Sequence, residues 1–164
     1  MRAVLQRVRE ASVSVAWEPR TPEMAEACAA GEARTWTETA RIGRGLLVLV
    51  GFGGGETPAD LDWAADKVLA LRIFGAEGGF DRSVVEMESE ILVVSQFTLL
   101  AGLYRGRRPD FAGAATAGLA RPLYDGFVER LERRHQRVRQ GVFGVRMRVA
   151  LVNDGPATFV LERG

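Results

Sequence analysis

The first part of the chain alternates hydrophobic and polar positions with the two-residue period of β-strands. Residues 2–8 and 11–17 predict two strands with a turn at Glu10 between them. The alternation is lost over residues 18–34, where alanine, glutamate, proline and glycine dominate, and it returns at residues 35–42. We therefore interpret residues 18–34 as an insertion at the tip of a long hairpin.

Two later segments are apolar throughout, as expected of strands that are covered on both faces. Residues 45–51 and 91–94 fit this description and predict buried central strands. Near the carboxyl end, residues 145–151 alternate again, with valine, methionine or leucine at every second position. A turn at residues 153–156 and a last strand at residues 157–161 complete the predicted β-structure.

Two helices are predicted between these strands. Thr57 is a suitable cap, Pro58 suits the first helical position, and Asp60 completes the spacing of a capping box. The second helix is predicted to start near Pro122. Strands at both ends, with only two helices between them, favour an α+β fold over a repeating βαβ sheet. The expected inward positions are Leu61, Ala64, Ala65, Val68 and Leu71 in the first helix and Tyr124, Phe127, Val128 and Leu131 in the second, with Glu129, Arg130, Glu132 and Arg133 facing water.

Length and composition indicate one soluble domain over residues 1–164, with 47% hydrophobic and 26% charged residues. No apolar segment has the length of a membrane span or a secretion signal, so we expect a cytoplasmic protein without membrane association. Cys28 and His135 are the only cysteine and histidine, which excludes a disulfide within the chain and a Cys/His zinc site built from one chain. We expect no metal and no cofactor, and we expect His135, in a polar helix tail, to be solvated.

The net charge is only +1, but arginines are concentrated in two regions. Seven arginines lie from Arg130 to Arg148 against a single acid, Glu132, and a second basic cluster occupies residues 105–108. Guanidinium groups bind phosphate oxygens through paired hydrogen bonds, so an RNA or nucleotide partner is one explanation. A solvated helix face is the other, since Lys67 is the only lysine and arginine takes its place elsewhere.

Three segments between the predicted elements are candidates for chemistry. Residues 51–56 join a strand to a helix, but Glu56 stands where a dinucleotide site needs its last glycine, so we interpret the segment as a flexible loop. Residues 95–98 place serine, glutamine and threonine directly after a buried strand, which indicates either a pocket or a strand end with satisfied hydroxyl groups. Residues 153–156 read Asn-Asp-Gly-Pro, an ordinary turn sequence.

Several segments, taken together, match one known family in order and spacing. They are residues 1–4 with 6–8, 45–49, 71–74, 95–99, 106–109 with Phe111, and 153–156. With this pattern the chain resembles the D-aminoacyl-tRNA deacylase family over nearly its whole length. It departs from the family in two places: residues 18–34 lengthen a hairpin that is short in most relatives, and Ala157 stands where the signature usually has valine.

The resemblance implies a compact, β-barrel-like α+β fold with an antiparallel or mixed sheet and two main helices. It implies a homodimer with active sites at the interface between the copies. It further implies an enzyme that acts on aminoacyl-tRNA and hydrolyses, without a metal, the ester between a D-amino acid or glycine and the terminal adenosine.

Residue by residue, the resemblance assigns Gly155 and Pro156 to a cis-peptide motif that enters the partner's site and rejects L-amino acids through its backbone carbonyls. Arg7 would hold this motif in position. Arg107 and Arg108 are candidate tRNA contacts. The residues that would line the pocket, and whose backbone N–H groups would engage the aminoacyl carbonyl and the ribose, are Ser95, Gln96, Phe97 and Thr98.

Two catalytic routes stay open at this point. Thr98 is the side chain of its motif that could act as a nucleophile, but no obvious base lies near it in sequence. Alternatively, the ribose 2′-hydroxyl of the substrate helps to direct water. Three other functions are alternatives: an editing module that removes a mischarged L-amino acid, a non-catalytic RNA-binding protein, and a general esterase.

Overall fold

The computed structural model describes residues 1–16, 36–76, 79–104 and 106–163. They form strands, two α-helices and a short 3₁₀ helix, joined by loops. The predicted insertion at residues 18–34, with Cys28, lies outside these ranges. The α+β class with two main helices is confirmed. In chain order the elements are β1 (Arg2–Ala16), β2 (Trp36–Ile42), β3 (Gly45–Gly51), α1 (Pro58–Ala70), β4 (Glu90–Ser95), the 3₁₀ helix (Phe97–Leu100), α2 (Ala117–Glu132), β5 (Val138–Gln140) and β6 (Met147–Glu162).

β1 has pairing partners along both of its edges. On one edge, β3 pairs antiparallel with residues 2–8 and β2 pairs antiparallel with residues 11–16, and the register continues unchanged across the bend between β2 and β3. On the other edge, β6 runs antiparallel along nearly the whole of β1. Glu10 is held in extended backbone opposite Val152, so the predicted turn at Glu10 is wrong. Its polar neighbours resemble a turn in sequence, but pairing on both edges keeps the strand extended.

β4 and β5 extend the sheet in the parallel sense, β4 beside β3 and β5 beside β4. The sheet is mixed and nearly closed into a barrel. Side chains from β1, β4 and β6 converge at Gly141: a Cβ added there would lie within 4 Å of Val13, Val94 and Met147. The two predicted central strands, β3 and β4, are confirmed as buried. One hydrophobic cluster contains the helix residues and the other occupies the opposite face of the sheet.

The start of α1 is as predicted. The Thr57 hydroxyl accepts the Asp60 N–H at 3.3 Å, the Asp60 carboxylate accepts the Thr57 N–H at 2.8 Å, and Pro58 is the first helical residue. One inward position differs, because Leu69 is buried whereas Leu71 is the C-terminal cap and only half-buried.

α2 begins at Ala117 rather than near Pro122, and Thr116 occupies the cap position. Pro122 lies in the second turn, inside the helix, where it has no N–H group to donate to the preceding turn. The inward residues predicted for this helix are all buried. Arg130, predicted to face water, is half-buried, and its guanidinium lies 2.6 Å from the Asp62 carboxylate of α1.

His135 is buried, with 8% of its surface exposed, so the expectation that it is solvated is wrong. Its Nε2 lies 2.6 Å from the carbonyl oxygen of Ser89. The ring therefore joins the end of α2 to the loop before β4. The polar sequence around His135 concealed this role, because its partner is 46 positions away in the chain.

β6 is one continuous strand, and the predicted turn at residues 153–156 is wrong. The residues on either side pair with β1 in the same antiparallel sense, so the chain does not reverse. Instead, residues 154–157 lie opposite the single residue Arg7 and form a bulge, which we call the β6 bulge. Two apolar residues of the alternating segment before the bulge, Val145 and Leu151, are exposed.

Neither α-helix of the described ranges combines the length and the apolar character that crossing a membrane requires. In the same ranges, no three His, Cys, Asp or Glu side chains are grouped as the ligands of a metal ion would be.

The glycine-rich segment 51–56 is held by Glu56 rather than left flexible as predicted. The Glu56 carboxylate accepts the N–H groups of Gly53 and Gly54, each at 2.8 Å, and pairs with the Met1 ammonium at 2.6 Å. Its side chain is only 7% exposed. Burial raises the pKa of the Glu56 carboxyl, but the bonds from the ammonium and the N–H groups together lower it more, and the net pKa lies below its ordinary value.

We expect Glu56→Gln to remove a pH-dependent part of the stability. A carboxyl whose pKa is lowered by folding stabilises the fold above its unfolded pKa of about 4.3, and this contribution is lost as the pH falls through the folded pKa. The free energy of unfolding should therefore be about 1–2 kcal/mol higher for the unmodified protein than for Glu56→Gln at neutral pH. Denaturant titrations should show this difference shrinking below about pH 4, and a difference independent of pH would contradict the prediction.

Candidate active site

A pocket of about 550 Å³ opens at the carboxyl end of β4, where the apolar strand gives way to polar residues. Ser95, Gln96 and Phe97 line one part of it. Thr98 is not among the lining residues, but its hydroxyl accepts a hydrogen bond from the Gln96 side-chain amide. The other lining residues are Val50, Gly51, Phe52, Val94, Ala115, Ala117, Ala120, Phe143, Gly144, Val145, Met147 and Val149.

The backbone that follows β4 is positioned by β1 and β3. The Gln96 N–H donates to the Val50 carbonyl at 2.8 Å, and the chain then turns into the 3₁₀ helix. Gly51 permits this close approach, since a Cβ there would lie 2.6 Å from the Gln96 carbonyl oxygen. Further along, Arg2 donates to the Leu99 carbonyl at 2.6 Å. The polar motif is thus fixed by contacts with strands far away in sequence.

Two backbone N–H groups without an acceptor lie at the start of the 3₁₀ helix next to the pocket, and the described pocket lining has no titratable side chain. The first N–H groups of a helix have no acceptor within the helix, and those of Phe97 and Thr98 have none elsewhere among the described residues. None of the described lining residues is an acid, a base, a histidine or a cysteine. Since Phe97 lines the pocket, its N–H group is a candidate donor to a carbonyl oxygen or an oxyanion. The described lining offers no side chain to remove a proton.

Aromatic packing supports the walls of the pocket. Phe143 packs on Tyr124, with ring centroids 5.6 Å apart, and the Arg121 guanidinium lies 5.5 Å from the Phe143 centroid. The buried Tyr124 hydroxyl donates to a carbonyl of β4 at 3.1 Å, and burial raises its pKa, so it is a fixed donor rather than an acid. At the motif, Phe97 packs on Phe111 with centroids 5.1 Å apart, yet 56% of Phe97 stays exposed.

Gly155 and Pro156 lie in the β6 bulge, and the peptide bond between them is cis. Both residues are exposed. Arg7, opposite the bulge, is only 4% exposed. Its Nε donates to the Asp154 carbonyl and its Nη1 to the Ile73 carbonyl, each at 2.8 Å. Arg7 therefore ties the bulge to the segment that follows α1.

Further side chains that hold the bulge were not assigned a role from the sequence. The Asn153 amide donates to the Arg7 carbonyl at 3.0 Å and to the carbonyl of the last bulge residue at 3.3 Å, so it spans the bulge. The Asp154 carboxylate lies 3.2 Å from the Arg9 guanidinium. Phe80 lies against Arg7, with its ring centroid 5.4 Å from the guanidinium carbon. The Asn-Asp-Gly-Pro sequence alone indicates a turn, and only its pairing with β1 reveals a clamped bulge.

The structure therefore brings the predicted site residues together as two groups within one chain. Ser95, Gln96 and Phe97 share the pocket, whereas Gly155 and Pro156 share the β6 bulge with Arg7 and are not among the pocket's lining residues.

Ala117 and Ala120 of α2 belong to the pocket wall. They were not predicted there, because Pro122 indicated a later start of this helix. Arg107 and Arg108 lie exposed on the loop that follows the 3₁₀ helix.

Comparison with known proteins places the chain in one family. The family model described as D-Tyr-tRNA(Tyr) deacylase matches residues 4–162. A protein of Opitutus terrae described as D-aminoacyl-tRNA deacylase is 47% identical over 164 residues, which covers 99% of this chain and 97% of that protein. A protein of Rippkaea orientalis with the same description is 42% identical over 166 residues, covering 99% of this chain and all of that protein.

Two solved structures have a similar fold. One, titled c-Myc DNA Unwinding Element Binding Protein, has a TM-score of 0.82 and 36% identity, and the match covers 100% of this chain and 99% of that one. The other, titled as a probable eukaryotic D-amino acid tRNA deacylase, has a TM-score of 0.75 at 20% identity over 98% of this chain and 97% of that one, and supports the fold alone. The match to the family model over almost the whole chain, and the relatives that are similar from end to end, confirm the resemblance found in the sequence: this protein belongs to the D-aminoacyl-tRNA deacylase family of hydrolases.

Proposed function

We propose that this protein hydrolyses the ester between a D-amino acid, or glycine, and the terminal adenosine of tRNA, and that it spares L-aminoacyl-tRNA. The observation that carries the proposal is the pocket at the end of β4, which is lined by Ser95, Gln96 and Phe97 and, among the described residues, by no charged side chain. A site of this kind suits an ester whose carbonyl oxygen becomes negative during the reaction.

The reaction needs few catalytic groups from the protein, because an aminoacyl ester is already activated towards hydrolysis. Water adds to the carbonyl carbon, the bond from that carbon to the ribose oxygen breaks, and the ribose oxygen takes up a proton. The free N–H groups of Phe97 and Thr98 would stabilise the oxyanion of the intermediate, and the pocket walls would orient the ester towards water. The products are the free amino acid and deacylated tRNA.

The surroundings of Thr98 favour catalysis assisted by the RNA over a threonine nucleophile. The Thr98 hydroxyl accepts a hydrogen bond from the Gln96 amide, and the described pocket lining contains no base that could deprotonate it. An unactivated hydroxyl is a weak nucleophile. The ribose 2′-hydroxyl lies next to the ester in the substrate itself, so it is the group best placed to direct the attacking water.

We assign the rejection of L-amino acids to the backbone of the β6 bulge, which would act on a substrate bound in the pocket of a second copy of the chain. Gly155 and Pro156 are exposed and are not among the lining residues of the pocket in their own chain, which supports their action on a substrate bound by another copy. In the described chain β6 pairs with β1 alone, which leaves its other edge available. Val152 and Val160 on the same strand are 47% and 63% exposed. These features suit a homodimer in which each bulge enters the partner's pocket.

We expect the protein to release D-tyrosine from D-Tyr-tRNA while L-Tyr-tRNA stays intact, measured as labelled amino acid lost from tRNA over time. Thr98→Ala should retain hydrolysis within about tenfold, because Thr98 has no activating base. Phe97→Ala should lower turnover by loosening the pocket. Neither variant should accept the L-substrate, since rejection by a fixed backbone does not depend on these side chains.

Each other outcome identifies one alternative function. Equal cleavage of both stereoisomers would contradict the proposed selection, and cleavage of the L-substrate alone would indicate an editing module. Binding of tRNA without release would indicate an RNA-binding protein, and hydrolysis of simple esters at a similar rate would indicate an esterase. A loss of about a thousandfold or more in Thr98→Ala would instead make Thr98 the nucleophile.

A further inference from the structure

The loop between the 3₁₀ helix and α2 presents an aromatic ring and two arginines to solvent. Tyr104 is 100% exposed and Leu103 is 70% exposed. Arg107 and Arg108, three and four positions after Tyr104, are exposed as well. We call Tyr104, Arg107 and Arg108 the loop surface. A tyrosine ring wholly in water contributes no packing to its own chain, and together with two exposed cations on the same loop it favours a ligand there.

The loop surface is anchored next to the pocket. Two hydrogen bonds close the base of the loop: the Gly102 N–H donates to the Asp110 carbonyl at 2.7 Å, and the Asp110 N–H donates to the Gly102 carbonyl at 2.9 Å. On one side the loop follows the 3₁₀ helix directly. On the other side it leads into Phe111, whose ring packs on Phe97 of the pocket. The base of the loop that carries the loop surface therefore lies next to the pocket.

The arginines of the loop surface are available for an anionic ligand. Among the described residues, neither Arg107 nor Arg108 has a carboxylate partner. The adjacent acid, Asp110, accepts the Ala112 N–H at 2.9 Å. The arginine-rich end of α2 differs, because its guanidinium groups lie against acids of α1 and α2. These paired arginines are Arg130, Arg133 and Arg134.

We propose that the loop surface binds the unpaired 3′ end of the tRNA, with Tyr104 stacking on a base and Arg107 and Arg108 contacting phosphates. The inference rests on the proposed function, because the amino acid to be removed is attached to that end. Proteins hold single-stranded RNA by stacking bases on aromatic rings and by placing cations along the phosphates, largely without regard to sequence. Paired RNA would offer Tyr104 no free base face, so the unpaired end is the favoured occupant.

Fluorescence anisotropy with labelled, deacylated tRNA tests the loop surface directly. Tyr104→Ala should weaken binding about tenfold, whereas Tyr104→Phe, which keeps the ring, should bind as the unmodified protein does. Arg107→Ala with Arg108→Ala should weaken binding and lower the slope of log Kd against log salt by about 1.4, as expected for two lost contacts to single-stranded phosphates. The matched control, Arg133→Ala with Arg134→Ala, should change neither quantity.

Two further measurements separate this inference from the proposed function. A tRNA without its unpaired 3′ nucleotides should bind equally to Tyr104→Ala and to the unmodified protein. In hydrolysis, Tyr104→Ala should raise KM for D-Tyr-tRNA with kcat unchanged, and it should cleave D-tyrosyl-adenosine as the unmodified protein does. If the unmodified protein cleaves neither substrate, the proposed function fails, while the anisotropy measurement still shows whether the loop surface binds RNA.

The inference would be overturned if Tyr104→Ala bound tRNA as tightly as the unmodified protein. It would also be overturned if Tyr104→Ala changed the sedimentation of the protein, because Tyr104 would then contact protein rather than RNA.

Discussion

Arg7→Ala is expected to lower kcat/KM for D-Tyr-tRNA by about a hundredfold or more and to destabilise the fold. The Arg7 side chain is nearly buried and donates to the backbone carbonyls of Asp154, Ile73 and Gly79. A buried polar group left without its partner costs roughly 1–3 kcal/mol, so the free energy of unfolding should fall by about 3 kcal/mol or more. Without Arg7 the β6 bulge also loses its tie to the segment after α1, and its exposed residues lose their fixed position.

A second substitution separates positioning from stability. Lysine carries a charge but lacks the planar fork of arginine, so Arg7→Lys cannot reproduce both the bond to Asp154 and the bonds beyond α1. It should recover part of the stability and little of the activity. The control is Arg133→Ala, which removes an arginine whose pair with Glu129 is exposed and should change neither property much. Hydrolysis rates measured below the melting temperature of each variant separate the loss of activity from the loss of stability. A folded Arg7→Ala protein with unchanged kcat/KM would show that Arg7 does not position the site.

Features that depend on neighbouring residues could be predicted from the sequence. The capping box of Thr57 and Asp60 formed as expected, because both partners lie within one turn of α1. The apolar runs of β3 and β4 became buried strands, since residues that are apolar on both faces need cover on both sides.

Features that depend on distant partners were predicted wrongly. Glu10 resembles a turn residue until β6 is known to pair with β1 on the far edge. His135 resembles a solvated residue until Ser89 supplies a carbonyl for its ring. The Asn-Asp-Gly-Pro segment resembles a turn until Arg7, 147 positions away from Asp154, binds its backbone. In each case a polar side chain or an extended backbone is satisfied by a contact that no local pattern contains.

In the candidate site, too, local sequence patterns indicated some features and missed those that depend on distant residues. Polar residues after a buried strand correctly indicated a pocket at Ser95 and Gln96 as one of two explanations. The alternation of β1 gave no reason to expect a buried arginine at Arg7, and only the family resemblance assigned it a role. The pocket wall from α2 was missed because proline is common at the first helical position, and this preference placed the helix start at Pro122 instead of Ala117.

Gly155→Ala is expected to lower kcat/KM for D-Tyr-tRNA by about a hundredfold while the protein stays folded. A Cβ at Gly155 would lie 2.1 Å from the Asn153 side-chain oxygen and 2.7 Å from the Ala157 backbone nitrogen. The Asn153 side chain cannot simply move away, because its amide is bonded to the carbonyls on both sides of the β6 bulge. The bulge itself must therefore shift, and with it the backbone carbonyls proposed to exclude an L side chain.

Because the clash lies in an exposed bulge of β6, a strand that pairs with β1 on both sides of the bulge, its effect on folding should be smaller than its effect on catalysis. The ratio of L- to D-substrate cleavage should rise in Gly155→Ala, whereas a variant that is merely less stable would keep the ratio of the unmodified protein. Gly118→Ala is the matched control: a Cβ there meets no atom within 4 Å, and alanine in a helix is favoured over glycine by about 1 kcal/mol. It should melt at the same or a higher temperature with unchanged activity. If Gly155→Ala keeps both the rate and the stereoselectivity of the unmodified protein, a displacement of the bulge does not reach the substrate, and selection must lie in the pocket walls instead.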